Sequence, residues 1–316
     1  MIYNKDYQNI SLEDIDFKDF TFRLNCLAPS ENLYFSIKSH GLLEPVVLQK
    51  KELNKYLIIF GFRRLEVLKK LGEKSVQAIL LDKIKKDDYL RYIFLKNFKE
   101  GLSAVSKIKL ISILEDNFEV RPEDLISLGK KKLNIPEEFI GDQQKRSLFF
   151  KLPLNLLDYL AEKKIGFRLI DDLLLLPPFF WEKLSAWISI TEMRVNFFKK
   201  ILDLLIDIWR RDKKKKLKVS EIKKIEDNED RKVLEEELYK NLFKIRYPEY
   251  SSLKRQVENL KEDFLSQGIH IDFPEFFEGE QLNISFGLFK NSQISNLKDK
   301  MDSVDYKKIK KLLELL

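Results

Sequence analysis

The stretch YLIIFGFRRLEVLKKLG, residues 56–72, decides how this chain is read. Tyr56 to Phe60 is an apolar run of strand length, and Leu65, Leu68 and Leu71 then recur at helical spacing, so a strand, a turn at Gly61 and a helix over Phe62–Leu71 are expected. Gly72 closes that helix. Arg63 and Arg64 stand in its first turn, where the helix dipole favours acids. A glycine between strand and helix lets the backbone approach a ligand, and the unpaired N–H groups of the next turn point toward an anion. Two guanidinium groups there add bidentate phosphate donors. Gly61, Phe62, Arg63 and Arg64 therefore form a candidate phosphate cradle. The alternative is that both arginines pair with surface carboxylates.

The flanking sequence builds a compact α/β unit around this turn. Asn32 to His40 reads as a helix with Ser30 as N-cap, and Gly41 is placed to end it in a left-handed conformation. VVLQ, residues 46–49, and SVQAILL, residues 75–81, are further strands, and Asp87 to Phe98 reads as a helix.

This order of pieces resembles the N-terminal domain of the ParB family of chromosome and plasmid partition proteins. The stretches that carry the likeness are HGLLEPVVLQ (40–49), IIFGFRRLEVLKKLG (58–72) and LKNFKEGLS (95–103), with NISLEDIDFKDFTFRLN (9–25) similar to the family's first strand and the arginine-bearing segment after it. The resemblance covers about the first 100 residues well and the next 80 loosely. It implies CTP binding with a magnesium ion, coupled to closure of a dimeric clamp on DNA. By position, Gly41 and Pro45 would shape the base and phosphate wall, Gly61, Arg63 and Arg64 would hold phosphates, and Asn97 would lie near the metal. The chain departs from the pattern at Phe62 and Lys96, which stand where the family has acids, at Glu66, where a basic residue is common, and at Gln49, which replaces a frequent arginine. Magnesium takes hard oxygen ligands, so the loss of both carboxylates argues against the metal. Lys96 would supply positive charge in its stead, giving nucleotide binding with at most weak CTP hydrolysis. Sulfiredoxin, a sister branch of the fold, needs a cysteine in the phosphate loop, and FGFRR (60–64) has none. The lone Cys26 is expected to be a buried structural residue.

The remainder is expected to be helical, then mixed. Ser103 to Phe118 carries Val105, Ile108, Ile111 and Leu114 at core spacing. PEDLISLGKKKLN (122–134) resembles the first helix and turn of the family's helix-turn-helix, but IPEEFIG intervenes before DQQKRSLFFK. Gln143, Gln144, Lys145 and Arg146 are the candidate base or phosphate contacts there. The aromatic clusters LFF, PPFFW and NFF are read as core. RRDKKKKLK, Arg210 to Lys218, is either a solvated linker or a sequence-independent phosphate contact through Lys213, Lys214, Lys215 and Lys216. Val219 to Leu242 reads as a charged helical spacer. Tyr250 to Ser266 is an amphipathic helix, IHIDF (269–273) and LNISFGLF (282–289) a hairpin, and Asp305 to Leu316 a last helix. This tail resembles the family's small dimerisation domain, which implies a homodimer; packing against the rest of the same chain is the alternative.

The 316 residues, 44% hydrophobic, suffice for two or three domains. The expected class is a multidomain α+β protein: a small α/β domain over 1–98, an all-helical domain over 99–209, a basic linker and spacer over 210–248, and a small αββα domain over 249–316. A net charge of +7 makes DNA or another polyanion a reasonable partner, although residues 101–190 are balanced in charge. A start without a basic region followed by an apolar stretch leads to the expectation of a cytoplasmic protein, and the longest apolar run, Leu173 to Trp181, falls far short of the ~20 residues of a membrane span. His40 and His270 are too isolated for a metal site or a catalytic triad, and no acid cluster at Gly61 supports a nuclease. Two readings follow. One is nucleotide-dependent association with DNA in partitioning or genome organisation, working with a partition partner protein; the other is a nucleotide-independent interaction scaffold on the same fold.

Overall fold

The alternating pattern between residues 7 and 81 folds into a four-stranded mixed sheet. The computed structural model describes residues 7–24, 27–51, 55–97, 101–191, 193–211, 231–265, 268–274, 279, 281–286, 301 and 304–314. Strands β1 (Tyr7–Ser11), β2 (Val46–Lys50), β3 (Tyr56–Phe60) and β4 (Ser75–Leu81) lie in the order β1-β4-β2-β3. The β1/β4 and β2/β3 pairs are antiparallel, and β2/β4 is parallel. A parallel pair needs a crossover, supplied here by β3 and helix α2 (Phe62–Lys70). Helix α1 (Glu31–His40) has Ser30 as N-cap, its side chain accepting from Leu33 N, and ends at Gly41 with φ +71°. Val46, Leu48 and Ile58 of the sheet close a core with Leu65, Val67 and Leu68 of α2 and Ile37 of α1. Burial on that scale, at about 25 cal/mol per Å² of apolar surface, holds α2 and hence its first turn against the strand ends.

Helix α3 (Lys86–Lys96) joins this core through stacked rings: Phe60 lies 3.8 Å from Tyr92 and 5.3 Å from Tyr89, and Tyr89 lies 5.4 Å from Phe118 at the end of α4 (Ala104–Phe118). The sheet and the helical region that follows therefore share a continuous aromatic seam. Burial pushes the Tyr89 phenol far above its ordinary pKa, which marks it as a packing residue. Helices α5 (Pro122–Leu133), α6 (Glu137–Gly141), α7 (Gln143–Phe149), α8 (Leu154–Glu162), α9 (Phe167–Leu174), α10 (Pro178–Thr191) and α11 (Val195–Arg211) follow. Where a tight turn is expected after α5, Asn134 adopts φ +50° and the five-residue α6 intervenes before α7. Phe149, Phe180, Trp181 and Phe198 are core, whereas Phe150 and Phe179 of the same clusters are exposed.

The chain divides into two compact units, Met1–Leu202 and Asp203–Leu316, with the boundary inside α11. The second contains α12 (Arg231–Arg246), α13 (Pro248–Leu265), a hairpin of β5 (Ile269–Asp272) with β6 (Asn283–Phe286), and α14 (Tyr306–Leu313). Its small core is Phe264, Ile269, Ile271, Val304 and Leu312. Cys26, Phe98, Lys213 to Lys216 and residues 219–230 of the expected spacer lie outside the described residues. Among the described residues no helix is long and apolar enough to cross a membrane.

Candidate functional site: a cationic cleft at the first turn of α2

Two backbone constraints meet at Gly61. Its φ is +104°, which L side chains rarely adopt, and a Cβ there would stand 2.7 Å from Val46 Cγ1. Glycine is therefore required for conformation and for the close approach of the turn to β2. Gly61 caps α2 without a side-chain hydrogen bond and no acid occupies the first turn, so helix geometry leaves the N–H groups of residues 62–64 without intrahelical acceptors.

This turn borders a cleft of about 650 Å³, a volume ordinary for small-molecule sites. Gly61 to Arg64 line one side, Tyr92, Lys96 and Asn97 of α3 another, and Glu44 closes it together with Arg23 and the start of α1. The two arginines behave differently. Arg64 Nη1 donates to the carbonyls of Glu44 (2.6 Å) and Pro45 (3.1 Å), Nη2 reaches Tyr92 Oη (3.5 Å), and the Glu44 carboxylate lies 3.5 Å away. Arg64 thus holds the segment before β2 in place. Arg63 has no ion pair among the described residues, and its Nε is buried without an acceptor. A buried donor left unsatisfied costs about 1–3 kcal/mol, a cost that an incoming acceptor removes.

Lys96 is ion-paired with Glu44 and lies 5.7 Å above the Tyr92 ring. Glu44 bridges Lys96 and Arg64, and its carboxyl is held below the usual glutamate range, first by the hydrogen bond from Lys96 and then by the charges of Lys96 and Arg64 against the opposing effect of burial. The other departures from the family pattern also have partners. Arg23 pairs with Glu66 at 2.6 Å and lies 5.8 Å from the Phe62 ring, so Glu66 and Phe62 together fix the arginine of the N-terminal segment. Gln49 Oε1 accepts from Ile84 N at 2.8 Å, tying β2 to the loop before α3. Gly41 and Pro45 lie at the two ends of the segment preceding β2, and of that segment only Glu44 lines the cleft. Glu44 and Tyr92 are the site residues that sequence reasoning passed over. Both had a local signal: Glu44 precedes Pro45 in the quoted HGLLEP, and Tyr92 stands one helical turn before Lys96.

A magnesium ion does not fit this donor set. Among the described residues Glu44 is the one carboxylate lining the cleft and is already neutralised by two cations, while the Asn97 side-chain amide donates to Ile93 O at 2.8 Å. Among the described residues no group of three or more His, Cys, Asp or Glu could hold a metal. An anion fits: four cations, Arg23, Arg63, Arg64 and Lys96, and a free helix N-terminus face one acid among the described lining residues.

The second candidate set, on α7, comes apart. Gln143 and Gln144 are exposed. Lys145 is ion-paired with Asp171 and packs 4.6 Å from the Phe139 ring. The expectation that Arg146 meets nucleic acid is corrected: it is 2% exposed, pairs with Glu115 and donates to the carbonyls of Ile140 and Phe139. It stitches α7 to α4 and α6 and has no face left for phosphate.

Residues 4–98 match the sequence model of the ParB N-terminal domain. The chain is 29% identical over 143 residues to the probable chromosome-partitioning protein ParB of Campylobacter jejuni, covering 36% of this chain and 51% of the relative. It is 27% identical over 165 residues to the nucleoid occlusion protein of Bacillus thuringiensis, covering 45% and 57%. Among solved structures it is similar to the C-terminally truncated ParB of Caulobacter crescentus complexed with CTP-gamma-S, at 18% identity and a TM-score of 0.23, covering 57% of this chain and 99% of that one. The glycine–arginine turn and its sheet are thus a ParB N-terminal domain. Residues 4–98 carry the likeness to the ParB N-terminal domain, and the chain spans about half the length of the curated relatives it matches.

Proposed function

We propose that the α2 cleft binds a nucleoside triphosphate, CTP by family resemblance, without a resident metal, and that binding controls association of the protein with DNA in chromosome or plasmid partitioning or genome organisation. The observation that carries the reading is Arg63, a buried unpaired donor beside the open first turn of α2. In the bound state the α2 N–H groups and Arg63 take the phosphate oxygens, Arg64 keeps the Glu44–Pro45 wall in position, and Lys96 exchanges Glu44 for phosphate as a point charge. The one carboxylate among the described residues of the cleft, Glu44, is engaged by Lys96 and Arg64 rather than free to activate a water, so nucleotide turnover is weak or absent. The DNA role draws support from the relatives, one a probable chromosome-partitioning protein and one a nucleoid occlusion protein. On this reading the chain acts in the cytoplasm at the bacterial nucleoid, with Gln143 and Gln144 left as the solvent-facing candidates on α7, and pairs through α13, the hairpin and α14.

One observation favours the scaffold reading: Glu44 already neutralises Arg64 and Lys96. Calorimetric titration with CTP, ATP and GTP, with and without magnesium, separates the two. Saturable CTP binding that is indifferent to magnesium supports the proposal, and absence of binding by all three leaves the scaffold.

A further inference from the structure

The C-terminal unit carries a second cationic cleft that the nucleotide reading does not use. Helices α12 and α13 are joined through Tyr247 and pack against each other, with Leu238 and Leu242 of α12 and Val257 of α13 buried. Along the rim of that contact a cleft of about 1070 Å³ opens, and its wall combines half-buried rings with unbalanced positive charge. Phe243 sits at the centre of the rings, 5.8 Å from Tyr239, 4.7 Å from Tyr247 and 5.7 Å edge-on from Tyr250. Beside the cleft lining, Tyr247 is 38% exposed and the Arg246 guanidinium, paired with Asp207 at 3.3 Å, lies 4.6 Å above it. Lys240, Lys244, Lys254 and Arg255 line the cleft; Lys240 pairs with Glu236 at 3.9 Å, and Glu258, the one acid among the described lining residues, stands 4.0 Å from Lys254. Lys244 and Arg255 are exposed and have no ion-pair partner among the described residues.

We infer that this cleft binds single-stranded nucleic acid. Half-buried rings and exposed cations share one open cleft there. The combination suits a strand whose phosphates follow the lysines and arginine while unstacked bases lie against tyrosine and phenylalanine. A duplex keeps its bases stacked on one another and reaches only the cations. The site shares no residue with the α2 cleft, so each assignment stands or falls without the other.

The test uses the full chain and measures fluorescence anisotropy of a labelled oligo(dT) of about 20 nucleotides and of a duplex of equal length. Tyr239→Leu keeps the apolar bulk and removes the ring; it is expected to weaken single-strand binding about fivefold and leave duplex binding unchanged. Lys244→Glu with Arg255→Glu, two exposed positions that leave the fold intact, should weaken single-strand binding at least about tenfold and flatten its salt dependence. Unchanged single-strand binding in the charge variant overturns the site. Equal losses of single strand and duplex on Tyr239→Leu overturn the stacking mode and make the cleft a plain polyanion surface.

Discussion

Arg63 on α2 and Arg146 on α7 are both helix arginines with buried atoms, and they use their charge in opposite ways. Arg146 is enclosed by acceptors of its own chain, the Glu115 carboxylate and the carbonyls of Ile140 and Phe139. Arg63 is buried at Nε beside a cleft, with no acceptor for it among the described residues. A charge whose partners are internal stabilises the packing of helices, whereas a charge held without a partner costs stability until a ligand supplies one. The distinction separates structure from function more sharply than residue type or sequence spacing does.

Arg146→Ala is expected to have the largest effect on stability. Removing one member of a largely buried pair leaves Glu115 and two carbonyls without their donor, at a cost of about 3 kcal/mol, read by urea unfolding. A loss below about 1 kcal/mol would mean that α7 is held by other contacts and that Arg146 is available after all. Arg64→Ala comes next and should lower both nucleotide affinity and thermal stability, because the carbonyls of Glu44 and Pro45 lose their donor; a stability loss of about 1–2 kcal/mol is expected. Affinity lost with stability unchanged would make Arg64 a pure ligand residue.

Glu44→Gln should give a smaller effect of opposite sign. It removes the internal anion competing for Arg64 and Lys96, so triphosphate affinity should rise by a few fold, as expected for a pair partly exposed to solvent. The pH dependence has a definite direction. The Glu44 pKa is depressed, so its pairing is present above the ordinary 4.5 of a glutamate and is lost as pH falls through the lower folded value. The gain in Glu44→Gln should therefore shrink in that acid range, and a gain that persists there would point to a steric rather than an electrostatic origin.

How much of this was legible in the sequence follows from the distance over which each feature is set. The strand, Gly61 and helix over residues 56–72 rest on local period and backbone chemistry, and the structure has β3 and α2 there with Gly61 at φ +104°. The partners of the site were not legible. Glu44 reaches Lys96 across 52 residues and Arg64 across 20, and Arg146 reaches Glu115 across 31, contacts that only the packing of α3 on the sheet and of α7 on α4 brings about. Sequence spacing marked Arg63 and Arg64 as equivalent, and tertiary structure divides them. The hairpin and last helix were legible as elements, whereas residues 213–216 lie outside the described residues.

The central claim is that Arg63 is kept for a ligand, and Arg63→Ala tests it most directly through paired calorimetry with CTP and thermal unfolding. The account predicts a loss of affinity of about tenfold or more with a melting temperature equal to or above that of the parent chain, since an unsatisfied buried donor is removed. Unchanged CTP affinity, or a marked fall in melting temperature, would contradict it and return Arg63 to the class that Arg146 represents.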